Sequence, residues 1–306
     1  MQTRLKKEKG IKEMTIVDRK ERGIEVIGKG RPDFPARLAE IKDCPKELYY
    51  IGNLDALKKP CVSIVGSRTT TEYGRKTARS IAIRLAERGV TIVSGMAKGI
   101  DSVAHRGTIA AGGMTAAVLG CGPDQCYPKE NRQLKEQIEQ TGIVLSEYPP
   151  GTEPIYYNFP QRNRIISGLS EMTVVVQARN RSGSLITAEL AIEQGREVYA
   201  VPGNIDSMYN LGSNKLIKEG AFPIISVDDV LEPLGLRKVS RAEAEKQLSF
   251  SEFEIFKLLE ERGELSPDEI CMYLGKSPGY ISPMLSVMEI KGFIFSSMGK
   301  FFLANT

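Results

Sequence analysis

From residue 61 onward, short apolar runs alternate with amphipathic stretches. "CVSIV" (61–65) precedes "YGRKTARSIAIRLAERG", in which Ala78, Ile81 and Leu85 fall on one helical face. "VTIVSG" (90–95) precedes "KGIDSVAHRGTIAAG", and "MTAAVLG" (114–120) precedes "PKENRQLKEQIEQTG". "IVLSEYP" (143–149) leads to "FPQRNRIISGLSE", and "MTVVVQA" (172–178) to "SGSLITAELAIEQG". "EVYAVPG" (197–203) leads to "NLGSNKLIKEG", and a last strand, "AFPIIS" (221–226), to "VDDVLEPLG". Gly89, Gly142, Gly195 and Gly220 stand where these helices should end, as C-capping prefers.

Continuous apolar strands separated by helices predict a mostly parallel, doubly wound α/β sheet with both faces covered. In such sheets ligands bind beyond the carboxyl ends of the strands. The small-residue turns fall there: "GSR" after the first strand, "SGMAKG" after the second, "GCGPDQ" after the third and "RSGS" after the fifth. Their convergence on one rim says more than any single turn.

The flanks read differently. Residues 1–60 look like a separate N-terminal section, with a short β-rich stretch around "IEVIGKG" and a Pro-marked segment, "RPDFPARLAEIKDCPKELYYIG". Residues 236–249 are polar, lack an apolar stripe and read as a linker. Beyond it, "FEIFKLLEERG", "LSPDEICMYLG" and "SPGYISPMLSVMEIKGF" predict three helices, the last interrupted at Pro283, and "IFSSMGKFFLA" a two-stranded wing. That order fits a small winged-helix domain over 250–306.

Charge is local rather than global. The formal net charge is +4, yet residues 1–31 alone carry a net +5 and the rest a net −1. Bulk basicity therefore does not argue for nucleic acid, and any anion site must be built from particular residues. The 306 residues contain no apolar run of about 20 residues, the length a membrane span needs. "MQTRLKKEKGIKEM" has no apolar core of a secretion signal, so a cytoplasmic protein without membrane partners is expected. Five Cys with no CxxC and a single His, His105, make structural zinc and a disulfide framework unexpected. No metal or other cofactor is expected.

Ser182, Gly183 and Ser184 open a helix. They serve as an ordinary cap, or as an anion nest using the same uncovered amides and the helix dipole. Arg68, after Gly66 and Ser67, offers a forked donor beside backbone N–H groups, suited to phosphate, although a surface carboxylate would suit it too. His105 has no second His and no evident nucleophile to join, so a packing or capping role is expected and no catalytic residue is assigned.

"IVGSR" (64–68), "VSGMAKGIDSVAH" (93–105), "FPQRNRIISGLS" (159–170), "SGSLITAELAIEQGREVYAVPG" (182–203) and "LGSNKLIKEGA" (211–221) together resemble the bacterial DNA-processing protein A family (DprA, also called Smf). The likeness covers about residues 32–235, leaving 1–31 as a basic N-terminal segment. It implies an extended Rossmann-like domain that binds single-stranded DNA, dimerises, and loads the RecA recombinase onto that DNA in natural transformation. The residues expected to meet DNA are Gly66, Ser67, Arg68, Lys98, Phe159, Arg162, Asn163, Ser182, Gly183 and Ser184.

Arg162 and Arg164 flank Asn163 and cannot both point one way along a helix. Arg162 is expected to reach DNA and Arg164 to tie the helix to a carboxylate such as Glu147. Phe159 resembles a family aromatic placed against a base, with core packing as the other reading. Family members often carry Lys three residues before that Phe. This chain has Tyr156, followed by Tyr157, and base stacking could replace some of the lost charge. Lys98 is a further phosphate contact or a solvated surface charge.

Residues 249–306 carry a net −3, which disfavours duplex phosphates. The terminal domain is thus expected to contact protein, or this same chain, rather than duplex DNA. Duplex reading by that domain is a third, less favoured function. The enzymatic alternative is a nucleoside-monophosphate phosphoribohydrolase of the lysine-decarboxylase-like family, since "SGSLITAE" is similar to the "PGGxGTxxE" phrase, with Glu189 at the acidic position.

Overall fold

The structure, a computed structural model, describes residues 23–236, 241–291, 293–297 and 299–303. Most of the basic N-terminal segment and residues 237–240 of the expected linker lie outside the described residues. The chain divides into two compact units, one ending at Val227 and one beginning at Asp228.

The first unit is built on nine strands: β1 (Glu25–Gly28), β2 (Glu47–Gly52), β3 (Cys61–Val65), β4 (Thr91–Ser94), β5 (Thr115–Leu119), β6 (Ile143–Ser146), β7 (Met172–Val175), β8 (Glu197–Ala200) and β9 (Phe222–Pro223). Among the described residues seven α-helices connect them: α1 (Ala36–Ala39), α2 (Glu72–Ala86), α3 (Ile100–Ala110), α4 (Arg132–Thr141), α5 (Asn158–Gly168), α6 (Gly183–Glu193) and α7 (Leu211–Lys218). The spatial strand order is β1-β2-β6-β5-β4-β3-β7-β8-β9. From β6 to β9 every neighbouring pair is parallel.

The central strands are buried along their whole length, which is why they read as unbroken apolar runs. Alternate residues serve opposite faces. Ala116 and Val118 of β5 join Ile165 and Ile166 of α5 and Ala188 of α6 in one cluster. Ala117 and Leu119 join Leu134 and Ile138 of α4 in another.

The chain winds outward from β3 through β4 and β5 to β6, then returns to place β7 on the other side of β3. Val65 lies beside Val175 in the register, so the segments after β3 and β7 leave the sheet side by side and diverge. This is the switch point where a doubly wound sheet opens a crevice.

The described part of the N-terminal section, residues 23–60, is not separate. β1 and β2 add antiparallel to the β6 edge, in register Tyr49 to Ser146 and Glu25 to Tyr50. Ile27, Phe34, Leu38, Leu48 and Tyr50 belong to the same core as the parallel strands. The strand "ELYYIG" escaped sequence reading because two Pro-containing phrases precede it and its Tyr pair carries polar hydroxyls.

The second unit contains α8 (Asp228–Leu231), α9 (Arg241–Gln247), α10 (Phe250–Arg262), α11 (Pro267–Leu274), α12 (Pro278–Ile290) and the hairpin β10 (Ile294–Ser297) with β11 (Lys300–Leu303). Ser249 and Ser266 close reciprocal capping boxes with Glu252 and Glu269. Part of the expected linker is therefore helix: Ala244 and Leu248, four apart, bury themselves in the core with Ile255, Ile270 and Leu285. Pro283 does not interrupt α12, which continues through it to Ile290. Among the described residues, no helix is long and apolar enough to cross a membrane.

Candidate nucleic-acid interface

The turn after β3 is squeezed from two sides. The Ser67 amide donates to the Gln177 carbonyl at 2.7 Å, and the Ser67 hydroxyl donates to the Thr69 carbonyl at 2.6 Å. A Cβ on Gly66 would lie 2.6 Å from Ile100 Cγ1, so only glycine lets α3 approach this closely. Gly99 precedes α3 at φ +83°, with its α-carbon against the Ser67 carbonyl. The result is a rigid turn from which Arg68 projects, exposed and with no hydrogen-bond or ion-pair partner among the described residues.

Across the switch point, Ser182 caps α6 with extended backbone (φ −87°, ψ 139°), and its hydroxyl lies 2.7 Å from that of Ser184. Gly183 is exposed, with open space where a side chain would project. The first turn of this 11-residue helix holds no acidic residue. The Asn163 side-chain amide donates to the Gly183 carbonyl at 3.3 Å and ties α5 to the cap. The Ser182 amide donates to the Arg179 carbonyl at 3.1 Å and the Ser184 amide to the Ser182 hydroxyl at 3.4 Å, so of the three amides expected to form a nest the cap leaves that of Gly183 open.

On α5 the two arginines part company. Arg164 donates to Glu147 Oε1 at 2.5 Å, to the Asp43 carbonyl at 2.8 Å and to the Gln161 carbonyl at 2.9 Å. Arg162 is not the outward-reaching residue expected of it: it is only 4% exposed and donates to the Val118 carbonyl. Its guanidinium fills the space a side chain on Gly95 would take, 2.6 Å from that Cβ position. The carboxyl end of β4 leaves room there because Gly95 follows it, whereas Gly120, after β5, makes room for the Phe159 ring.

Asp101 is buried near Arg162. Burial pushes its carboxyl up from the ordinary value, against the pull of Arg162. Burial pushes Arg162 down to about 10, so it stays cationic at neutral pH. His105 is fully buried, and burial first, then Arg162, drives its pKa down to about 3. Thr115 donates its hydroxyl to the Ile92 carbonyl at 2.6 Å, so His105 Nδ1, 2.6 Å away, is the donor to Thr115 and the imidazole is neutral.

Phe159 is half-buried. Its ring meets Tyr127 at 5.1 Å between centroids and lies against Gly120, yet also borders the cavity described next. Lys98 is elsewhere: exposed, paired with Glu130 at 2.6 Å, and not part of that cavity's wall.

Nine of the ten expected residues line a single cavity of about 610 Å³ at the switch point: Gly66, Ser67, Arg68, Phe159, Arg162, Asn163, Ser182, Gly183 and Ser184. Arg179, Asn180 and Arg181 line it too and were not singled out from sequence. Their signal was position alone, between a strand end and a small-residue cap. Arg179 lies over the Tyr209 ring at 4.5 Å, while Arg181 is exposed. Glu189 borders the cavity as an exposed side chain. The cavity therefore offers hydroxyls, guanidiniums and the Gly183 amide beside the carboxyl groups of Asp101 and Glu189. Among the described residues no group of His, Cys, Asp and Glu could hold a metal ion, and the five cysteines are free thiols.

Comparison with known proteins gives a consistent result. The family described as DNA recombination-mediator protein A matches residues 25–235. The chain is 48% identical over 198 residues to the DNA processing protein DprA of Streptococcus pneumoniae, covering 65% of this chain and 70% of that protein. To the DNA processing protein DprA of Bacillus subtilis it is 44% identical over 225 residues, covering 73% of this chain and 76% of that one. The crystal structure of the Streptococcus pneumoniae protein superposes with a TM-score of 0.66 at 45% identity, covering 68% of this chain and 74% of that one. A DNA processing protein A from Helicobacter pylori, described for its single-stranded-DNA binding mode, gives 0.63 at 30% identity, covering 69% of this chain and 95% of the other.

Proposed function

Because the chain belongs to the DNA recombination-mediator protein A family, we propose that it binds single-stranded DNA without sequence preference and presents it to a RecA-type recombinase. The observation that carries this reading is the cavity at the switch point, where Arg68 and the open end of α6 face one space. A phosphodiester needs donors and positive charge and no chemistry performed upon it. The Gly183 amide and the Ser182–Ser184 hydroxyl pair donate to one phosphate, and Arg68, with its bidentate fork, donates to a neighbouring one. Arg181 and Arg179 extend the same positive wall.

The family is one of recombination mediators, so the enzymatic alternative built on Glu189 is set aside. The protein acts in the cytoplasm as a homodimer, taking up incoming single strands during DNA uptake and recombination. The acidic terminal unit serves protein contacts rather than duplex binding. Deletion of residues 240–306 should leave single-strand affinity intact, and its loss would overturn that assignment.

The deciding measurement is poly-dT binding by the wild type and Arg68→Ala across a salt series. The variant should bind more weakly, with the salt slope shallower by about 0.7, the value of one lost single-strand phosphate contact. Equal affinity and slope in the two proteins would refute the reading.

A further inference from the structure

We infer that Tyr156 and Tyr157 form a stacking platform for nucleobases of the strand whose phosphates enter the cavity, an assignment that rests on the single-strand reading above. Both rings are almost wholly outside the fold: Tyr156 is 78% exposed and Tyr157 77%. They meet edge to face, with centroids 6.0 Å apart and planes at 79°, and neither phenol has a hydrogen-bond partner among the described residues. Nothing in the packing of the first unit accounts for two bare aromatic rings in succession.

The segment that carries them is not loose. The Gly122 amide donates to the Thr152 carbonyl at 2.9 Å, and the Gly151 amide to Asp124 Oδ1 at 2.8 Å. The Thr152 hydroxyl donates to the Pro149 carbonyl at 2.7 Å, and the Asn158 amide to the Ile155 carbonyl at 3.1 Å. The backbone that presents the rings is therefore in place before any ligand arrives, which lowers the entropy cost of using them.

Their position selects the occupant. Tyr156 is part of the cavity wall, so its ring continues the surface that holds Arg68 and the Gly183 end of α6. Those groups recognise only phosphate, and a strand seated on them leaves its bases to find partners outside. Phe159, half-buried against Tyr127 and Gly120, presents less open surface to the cavity than the two exposed rings. The free π surface nearest the rim is Tyr156, followed by Tyr157. Stacking on it tolerates every base, because each base has a π-face.

The test uses the full chain and two polymers of equal length, oligothymidylate and an abasic phosphodiester. The wild type should prefer oligothymidylate. Tyr156→Ala and Tyr157→Ala should each lose about tenfold on oligothymidylate and leave abasic binding unchanged, whereas Tyr156→Phe keeps wild-type affinity. Arg68→Ala should lose on both polymers alike. Equal losses on both polymers for the Tyr variants, or no loss on either, would overturn the platform. Loss of self-association in place of base preference would assign these rings to a protein contact and overturn it too. Failure of the wild type to bind either polymer would instead remove the single-strand reading itself.

Discussion

The Ser67 amide and the Gln177 carbonyl are joined at 2.7 Å, so the turns leaving β3 and β7 are held together at the point where the sheet reverses its winding. Gln177 holds more than this through its side chain. Its Oε1 accepts from the Thr71 amide at 3.1 Å, and its Nε2 donates to Thr71 Oγ1 and to Asn210 Oδ1, both at 2.9 Å. A fully buried amide thus fixes the start of α2, the β7 turn and the start of α7.

Gln177→Ala should lower stability by about 1–3 kcal/mol, because the Thr71 and Asn210 groups lose their partner. Urea unfolding measures the loss. The salt slope of poly-dT binding should not change, since no cation is removed. A shallower slope would place Gln177 in the ligand contact itself.

Gly99→Ala should damage the site more than its small size suggests. The residue sits at φ +83°, and the added methyl would collide with the Ser67 carbonyl and lie 2.7 Å from the Arg68 carbonyl. Poly-dT affinity should fall at least as far as in Arg68→Ala, because the turn carrying the guanidinium is displaced. Wild-type affinity in a folded Gly99→Ala protein would contradict the rigidity assigned to that turn.

Lys98→Ala and Arg164→Ala should separate surface from structure. Lys98 is paired with Glu130 outside the cavity, and its removal should change poly-dT affinity by less than about twofold. Arg164 anchors α5 to Glu147 and to the Asp43 carbonyl, so Arg164→Ala should cost about 1–3 kcal/mol in urea unfolding with little change in salt slope.

Stability should fall as the medium is acidified, through a single imidazole. His105 is the chain's one histidine, and its pKa falls from 6.5 to about 3 on folding. Below 6.5 the unfolded chain takes a proton that the folded chain refuses, so the contribution is complete above 6.5 and is lost towards 3. The slope is at most about 1.4 kcal/mol per pH unit. Asp101, whose carboxyl is raised by burial, acts in the opposite direction, so the comparison must be with His105→Gln. Between pH 6.5 and 5 the wild type should lose stability relative to that variant in urea unfolding. Parallel curves would refute a buried neutral His105.

Much of this was legible in the chain. Five fully buried strands read as apolar runs, and Gly66–Arg68 and Ser182–Ser184 pointed to one rim because small residues after a parallel strand have few other uses. Arg164 was read as the tether and Glu147 as its partner. What failed did so for reasons of depth and distance. A sequence does not say how far a side chain lies below the surface, so Arg162 read as a hook although Gly95 makes room for it inside. Lys98 lies on a small-residue turn, but its nearest carboxylate, Glu130, is 32 positions on. Arg179 and Arg181 gain their meaning only when β7 is set beside β3, a neighbour 110 positions earlier in the chain.

Arg162 also sets how the crevice behaves in concentrated electrolyte. A guanidinium lodged beneath the floor is out of reach of mobile counterions, which crowd around exposed groups such as Arg68 and Arg181. For an anion seated above it, the outer arginines act as an adjustable attraction that brine extinguishes, and the inner one as a constant background. Tight retention of a strand under conditions that abolish its long-range capture is the expected signature of that two-layer arrangement.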